Sequence, residues 1–212
     1  MLTYIHMVYP DTKLEEKLWT AGFKYVVGID EAGRGPLAGP VVVAGVVIGS
    51  SEDLVEGVKD SKKMTKKRRE EAFESIKKKC KAYAIGIIDA KEIDRIGIKY
   101  AVRKGMKKVV NDIQEKLGEK VDYIISDGAV FPIDGYEMEI IDKGDNFHYS
   151  IAAASVLAKV TRDRMMEEYS KIYPVYGFER NSGYGTKEHL ESMSEYGICD
   201  IHRKSFKPCN MY

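Results

Sequence analysis

Apolar residues recur at three- and four-residue steps through Ile98, Ala101, Val102, Met106, Val109, Val110, Ile113 and Leu117, the clearest helical period in the chain. Gly118 is placed to end that helix. Elsewhere the pattern changes to short, continuous apolar runs rich in β-branched residues. Residues 25–29 and 41–48 read as paired strands across a Gly/Pro turn, and residues 82–88, 121–126 and 137–141 as three more. Residues 14–21 suit a short amphipathic lead-in helix. Thr65 is an N-cap for a helix reaching Lys81, and Asp89 caps a short turn. Small residues from Ser150 to Lys159 open a helix reaching about Lys171 and permit close packing against a neighbour. Residues 173–185 read as loop, and residues 186–196 as a final short helix that Gly197 stops. Three strands, a helix, a further strand pair and a helix predict an α/β fold. One domain is expected over residues 1–212, with a lead-in to about 20 and a C-terminal extension from about 172.

Charge narrows the partners. The 34 Lys and Arg balance 33 Asp and Glu to a formal net charge of +1, so a uniformly basic coat is excluded and any nucleic-acid contact is local. Two local clusters exist. Residues 59–69 carry seven basic residues and one acid, and residues 98–110 carry five basic residues and none. They are the solvated faces of helices or part of a polyanion surface. Cys80, Cys199 and Cys209 form no CxxC or Cys/His cluster, which fits a reduced intracellular protein. The longest apolar stretch, residues 41–48, falls far below the roughly 20 residues of a membrane span. A soluble, cytoplasmic protein is expected.

The candidate chemistry begins at Asp30-Glu31, two adjacent carboxylates at the end of the first strand, costly to desolvate without a cation. Asp127 follows the fourth strand and precedes Gly128, and Asp145 lies between Gly144 and a helix start. Each is either a turn residue or a ligand. If the four converge at one sheet edge, an all-oxygen donor set selects a hard cation, magnesium or manganese. That arrangement suits two-metal phosphodiester hydrolysis, with ions about 3.5–4 Å apart.

The acidic pair runs into Ala32-Gly33-Arg34-Gly35-Pro36-Leu37-Ala38-Gly39-Pro40. Its glycines have GxGxxxG spacing, which misses the dinucleotide fingerprint, and no Gly-Lys-Ser/Thr follows for a phosphate-binding Walker loop. Asp30 and Glu31 would also repel a pyrophosphate. Close approach of backbone to a polynucleotide is the better use of these glycines.

Seven ordered blocks between about residues 14 and 208 resemble bacterial ribonuclease HII, a type 2 ribonuclease H. They are residues 30–40, Asp60-Ser61-Lys62-Lys63, Ser126-Asp127-Gly128, Lys143-Gly144-Asp145, residues 150–164, residues 183–189 and residues 201–206. The resemblance implies a ribonuclease H-like fold: a five-stranded mixed sheet flanked by helices, with a C-terminal helical extension. It implies endonucleolytic cleavage of RNA in RNA–DNA hybrids and at single ribonucleotides in duplex DNA, leaving 5′-phosphate and 3′-hydroxyl ends. The family's four metal-binding acids fall on Asp30, Glu31, Asp127 and Asp145. Its 2′-hydroxyl-reading turn falls on Gly33, Arg34 and Gly35, and Tyr184 matches the tyrosine that packs on the following deoxyribose. Lys62, Lys63 and Lys159 are expected phosphate contacts. Two divalent ions, Mg2+ or Mn2+, are expected with substrate, and a monomer is the family expectation. Asp163 is expected to pair with neighbouring helix residues, and His202 to be structural.

Two departures from the family pattern stand out. Glu179-Arg180-Asn181-Ser182 replaces a Lys-His-Lys stretch, and Asn146-Phe147-His148-Tyr149 stands where small and basic residues are usual. Two other classes remain open: a non-catalytic binder of structured nucleic acid, and a metal-dependent DNA nuclease on the same fold. The first predicts salt-sensitive binding without cleavage, the second equal cutting of all-DNA duplex.

Overall fold

The computed structural model describes residues 9–128 and 132–212. Its centre is a mixed sheet of β1 (Val26–Ala32), β2 (Val41–Val47), β3 (Ala82–Ile88), β4 (Tyr123–Asp127) and β5 (Glu137–Ile141), in the order β3-β2-β1-β4-β5. The first three strands pair antiparallel, whereas β4 and β5 run parallel to β1. Helices cover both faces, so β2 is buried along its whole length and its sequence is continuously apolar rather than alternating. Its side chains still alternate in destination. Val41, Val43 and Val47 pack with Met106, Val109 and Ile113 of α4 (Ile98–Leu117), while Val42, Ala44 and Val46 pack with Ala153, Val156 and Leu157 of α5 (Tyr149–Ile172). Each large apolar side chain so buried contributes roughly 1.5–3 kcal/mol.

Helix α5 comes unusually close to β1, since a Cβ on Gly28 would lie 2.6 Å from Ile151 N. The small residues read from the sequence serve that approach. The start of α5 has no side-chain cap of its own. Glu15, fully buried on α1 (Lys13–Thr20), takes that role by accepting from Ser150 N at 3.0 Å and Ser150 Oγ at 2.7 Å. A carboxylate at a helix N-terminus satisfies orphan amides and complements the dipole. Asp11 adds a bridge to His148, so the lead-in segment fixes the turn that carries Asp145.

Between these elements lie α2 (Lys66–Lys79), capped by Thr65, and the seven-residue α3 (Ala90–Ile96), where the sequence suggested only a turn after Asp89. Two strand limits also move. β1 continues through Glu31 and β4 through Asp127, so these acids sit within strands rather than after them. Residues 173–185 are not all loop: a 3-10 turn, Pro174–Tyr176, and α6 (Phe178–Asn181) lie within them. Burial of Phe178, stacked on Tyr176 at 5.3 Å, overrides the surrounding glycines. α7 (Lys187–Tyr196) follows, completing a helical C-terminal region. No helix among the described residues is long and apolar enough to cross a membrane.

Candidate active site

The antiparallel and parallel halves of the sheet meet at β1 and β4, whose adjacent ends present Asp30 and Asp127 side by side. Asp145 reaches the same point from a 3-10 turn, Gly144–Asn146, rather than from β5. Carboxylate oxygens of Asp30, Asp127 and Asp145 all lie within 4.8 Å of one another. Asp30 and Asp145 are buried, at 6% and 3% exposure, which leaves little water to screen three like charges.

The consequence appears in their acidity. Burial, followed by the charges of Glu31 and Asp127, pushes Asp30 well above the ordinary carboxylate range. Burial also raises Asp127, against the hydrogen bond its Oδ1 accepts from Gly144 N at 2.7 Å. Asp145 is pushed up to about 6 by burial and then by Asp60 and Asp127, Asp60 being hydrogen-bonded to it. Asn146 donates to Asp145 Oδ1 at 2.9 Å and holds it in place. An oxygen-only cluster that resists its own ionisation fits a divalent cation, which would offset the repulsion. Glu31 stands apart from this trio and faces Arg34, with Nη1 to Oε1 at 3.1 Å. Its acidity is also weakened by burial, which Arg34 partly offsets.

Asp30, Glu31 and Asp127 line a cleft of about 290 Å³ together with Gly33, Arg34, Gly35 and Tyr184. The turn is held from behind by two buried guanidinium groups. Arg162 donates to the carbonyls of Pro40, Ser182 and Ala38 at 2.9, 2.9 and 3.1 Å. Arg203 donates to those of Gly39, Arg34 and Gly33 at 3.0, 2.9 and 2.6 Å. Gly33 has φ +97°, and a Cβ there would overlap Arg162 and come within 2.7 Å of Pro40 O. Gly35 faces the Tyr184 ring, which is half exposed.

The model of the family described as Ribonuclease HII matches residues 27–209. The chain belongs to the ribonuclease HII family. Ribonuclease HII of Caldicellulosiruptor bescii is 48% identical over 194 residues, 92% of either chain. Among solved structures, ribonuclease H2 of Pyrococcus horikoshii OT3 is 29% identical with a TM-score of 0.71, covering 88% of this chain and 96% of that one. Ribonuclease HII of Archaeoglobus fulgidus, solved in complex with PCNA, is 31% identical with a TM-score of 0.70, covering 86% and 95%. The fold is thus ribonuclease H-like, and the chain is a metal-dependent ribonuclease H, an endonuclease acting on RNA–DNA hybrids.

The remaining expected ribonuclease HII residues divide. Lys62 and Lys159 line the cleft. Burial opposes the Lys62 ammonium, but Asp60, Asp145, Asp30 and Asp127 together hold its pKa above the ordinary value. Lys159 pairs with Asp163 at 2.6 Å, and Asp163 also meets Arg69 at 3.8 Å. Lys63 turns away to the Asn146 side chain. Both departures from the family pattern brace the site. Asn146 orients Asp145, Tyr149 Oη accepts from Val55 N at 2.6 Å, and Asn181 binds Tyr176 O and Gly183 N ahead of Tyr184.

Sequence reasoning gave no role to Arg162, Arg203 or Asp60. For Arg162 a signal existed, since Ser155, Arg162 and Met166 share a helical face with Ala158 that the structure buries. Arg203 lies in an aperiodic segment with no such register.

Proposed function

We propose that this ribonuclease HII cuts the phosphodiester beside a ribonucleotide, both in RNA–DNA hybrids and at single ribonucleotides embedded in duplex DNA. The observation that carries the reading is one cleft lined both by Asp30 and Asp127 of the acidic cluster and by the glycine turn. In this reading Asp30, Glu31, Asp127 and Asp145 hold divalent ions, magnesium or manganese, two with substrate bound. Such ions would activate a water and stabilise the leaving 3′-oxygen, giving 5′-phosphate and 3′-hydroxyl ends.

The chain's own groups select and align the substrate. Six guanidinium hydrogen bonds engage the carbonyls of residues 33, 34, 38, 39, 40 and 182 and hold the turn in place. In this reading the turn of Gly33, Arg34 and Gly35 meets a 2′-hydroxyl, the one group that separates RNA from DNA at a given sugar. Tyr184 packs on the next sugar, where a second 2′-hydroxyl would be crowded. Lys62 and Lys159 meet phosphates, and Arg34 partly offsets the burial that opposes ionisation of Glu31.

The test is cleavage of three duplexes in magnesium and in manganese: one with a single ribonucleotide, one with an all-RNA strand, and one of DNA only. Cutting beside the single ribonucleotide and none of DNA is expected. Equal cutting of DNA would overturn the assignment of the turn. Binding without cleavage in either metal would overturn the assignment of the acids.

A further inference from the structure

We propose that the adjacent residues His202 and Arg203 are positioning residues that lock the glycine turn and Tyr184 into one register, so that the two sugars at a junction are read together. The proposal rests on the roles given above to the turn and to Tyr184.

Residues 201–203 run antiparallel to residues 37–39. Gly39 N donates to Ile201 O at 2.8 Å, Arg203 N donates to Leu37 O at 2.8 Å, and Ala38 bridges His202. Successive side chains of such an extended segment project to opposite sides. Arg203 goes to the turn and binds three of its carbonyls, two of them belonging to Gly33 and Arg34. His202 goes the other way and lies 3.0 Å from His189, Nε2 to Nε2, with His189 Nδ1 2.9 Å from Tyr184 O.

The hydrogens along this chain are fixed at both ends. Cys199 N lies 2.9 Å from His202 Nδ1, and a peptide N–H only donates, so Nδ1 accepts and the proton sits on Nε2. His202 Nε2–H then donates to His189 Nε2. His189 carries its proton on Nδ1 and donates to the Tyr184 carbonyl, which only accepts. Both rings are buried against Tyr176 and Phe178, with His202 to Tyr176 at 5.0 Å and His189 to Phe178 at 5.4 Å. His202 Nδ1 also lies 3.2 Å from Cys199 Sγ and 3.3 Å from Cys199 O, but the shorter contact from Cys199 N at 2.9 Å sets the tautomer, and that choice gives the relay its arrangement. Its ends are Arg34 and Tyr184, both of which line the cleft.

The test separates positioning from simple support of the fold. His202→Asn keeps an acceptor for Cys199 N and removes the reach to His189, whereas His202→Gln restores an atom near the Nε2 position. His202→Asn is expected to lower the preference for a single-ribonucleotide duplex over an all-RNA strand by about tenfold, the scale of a sub-ångström to 1 Å misplacement. His202→Gln should recover most of it. Loss of both activities by one common factor would overturn the proposal. Imidazole NMR of the wild type at pH 7 gives a readout independent of cleavage and of variant folding. His202 protonated on Nε2 and His189 on Nδ1 are expected, and any other tautomer pair would overturn the relay. Arg203→Lys should speed amide exchange at Gly33, Arg34 and Gly35 in intact protein, and unchanged exchange counts against it. If Arg203→Lys does not fold, the NMR and His202 arms decide. If wild type shows no ribonucleotide preference, the functional reading fails, while tautomers and exchange still decide the register.

Discussion

Two clusters of like charge support one cleft, and they are resolved in opposite ways. On one side three carboxylates crowd within 4.8 Å, and their acidity is weakened by burial and mutual repulsion. On the other, Arg162 and Arg203 are almost wholly buried, and each spends its three donor nitrogens on backbone carbonyls. Burial lowers both guanidinium pKa values, Arg203 to about 9, but every nitrogen of each group donates to a carbonyl. The arginine side is therefore a finished frame. The acidic side is complete only with cations from solution, and an incomplete site is the one able to do chemistry.

The comparison is tested most strongly by removing charge from each side. Asp127→Asn or Asp145→Asn is expected to reduce single-turnover cleavage by at least about 100-fold, because metal affinity is lost with the ligand. Neither should lower the melting temperature in a chelator, since repulsion is relieved. Arg203→Met should do the reverse to stability. It leaves three buried carbonyls unpaired and should cost about 3 kcal/mol or more in urea unfolding. An Asp145→Asn protein that melts well below wild type without metal would break the contrast.

Acidity offers a gentler test. Asp145 has its pKa raised from the ordinary 3.8 to about 6 in the folded protein. A native state that binds the proton more tightly is stabilised below the unfolded pKa and loses that stabilisation as pH rises through the folded one. The metal-free wild type should therefore lose stability relative to Asp145→Asn between about pH 4 and 7. Saturating magnesium should reverse the loss at pH 7 to 8, because the ion replaces the proton. Paired melting curves with and without chelator measure both effects, and in chelator a gap that widens in favour of wild type as pH rises would refute the assignment.

The two sides also differ in how far the sequence exposes them. Asp30 and Glu31 are legible because adjacent acids at the end of a β-branched run need a reason. The helix over residues 98–117 is legible because its period is unbroken. Asp127 and Asp145 are individually indistinguishable from turn residues, and only their place in ordered blocks selects them. That Asp145 arrives from a separate turn depends on Glu15 capping α5 across 135 residues, which no local pattern encodes. The arginine frame is less visible still. The hydrogen bonds of Arg203 go to backbone carbonyls about 165 to 170 residues earlier, and backbone acceptors carry no sequence signature. Chemistry borne by side chains at strand ends can be read from a chain, whereas support of backbone by distant side chains requires the fold.

The smallest perturbation draws the sharpest line between frame and reading surface, because it uses one methyl group at two glycines of the same turn. In Gly33→Ala the methyl overlaps Arg162 and the residue is held at φ +97°, so a stability loss of about 1–3 kcal/mol is expected. In Gly35→Ala the nearest atom is Tyr184 Cε1 at 3.7 Å, ordinary contact distance, so stability should change by no more than about 0.5 kcal/mol. Yet that methyl stands on the cleft surface, where the sugar approaches in the proposed reading. Gly35→Ala should bind duplex normally, melt like wild type and cut beside a ribonucleotide about tenfold more slowly, since the 2′-hydroxyl is held off the backbone amides. Wild-type cleavage by Gly35→Ala would move the reading surface away from the turn and leave only the arginine frame to explain its glycines.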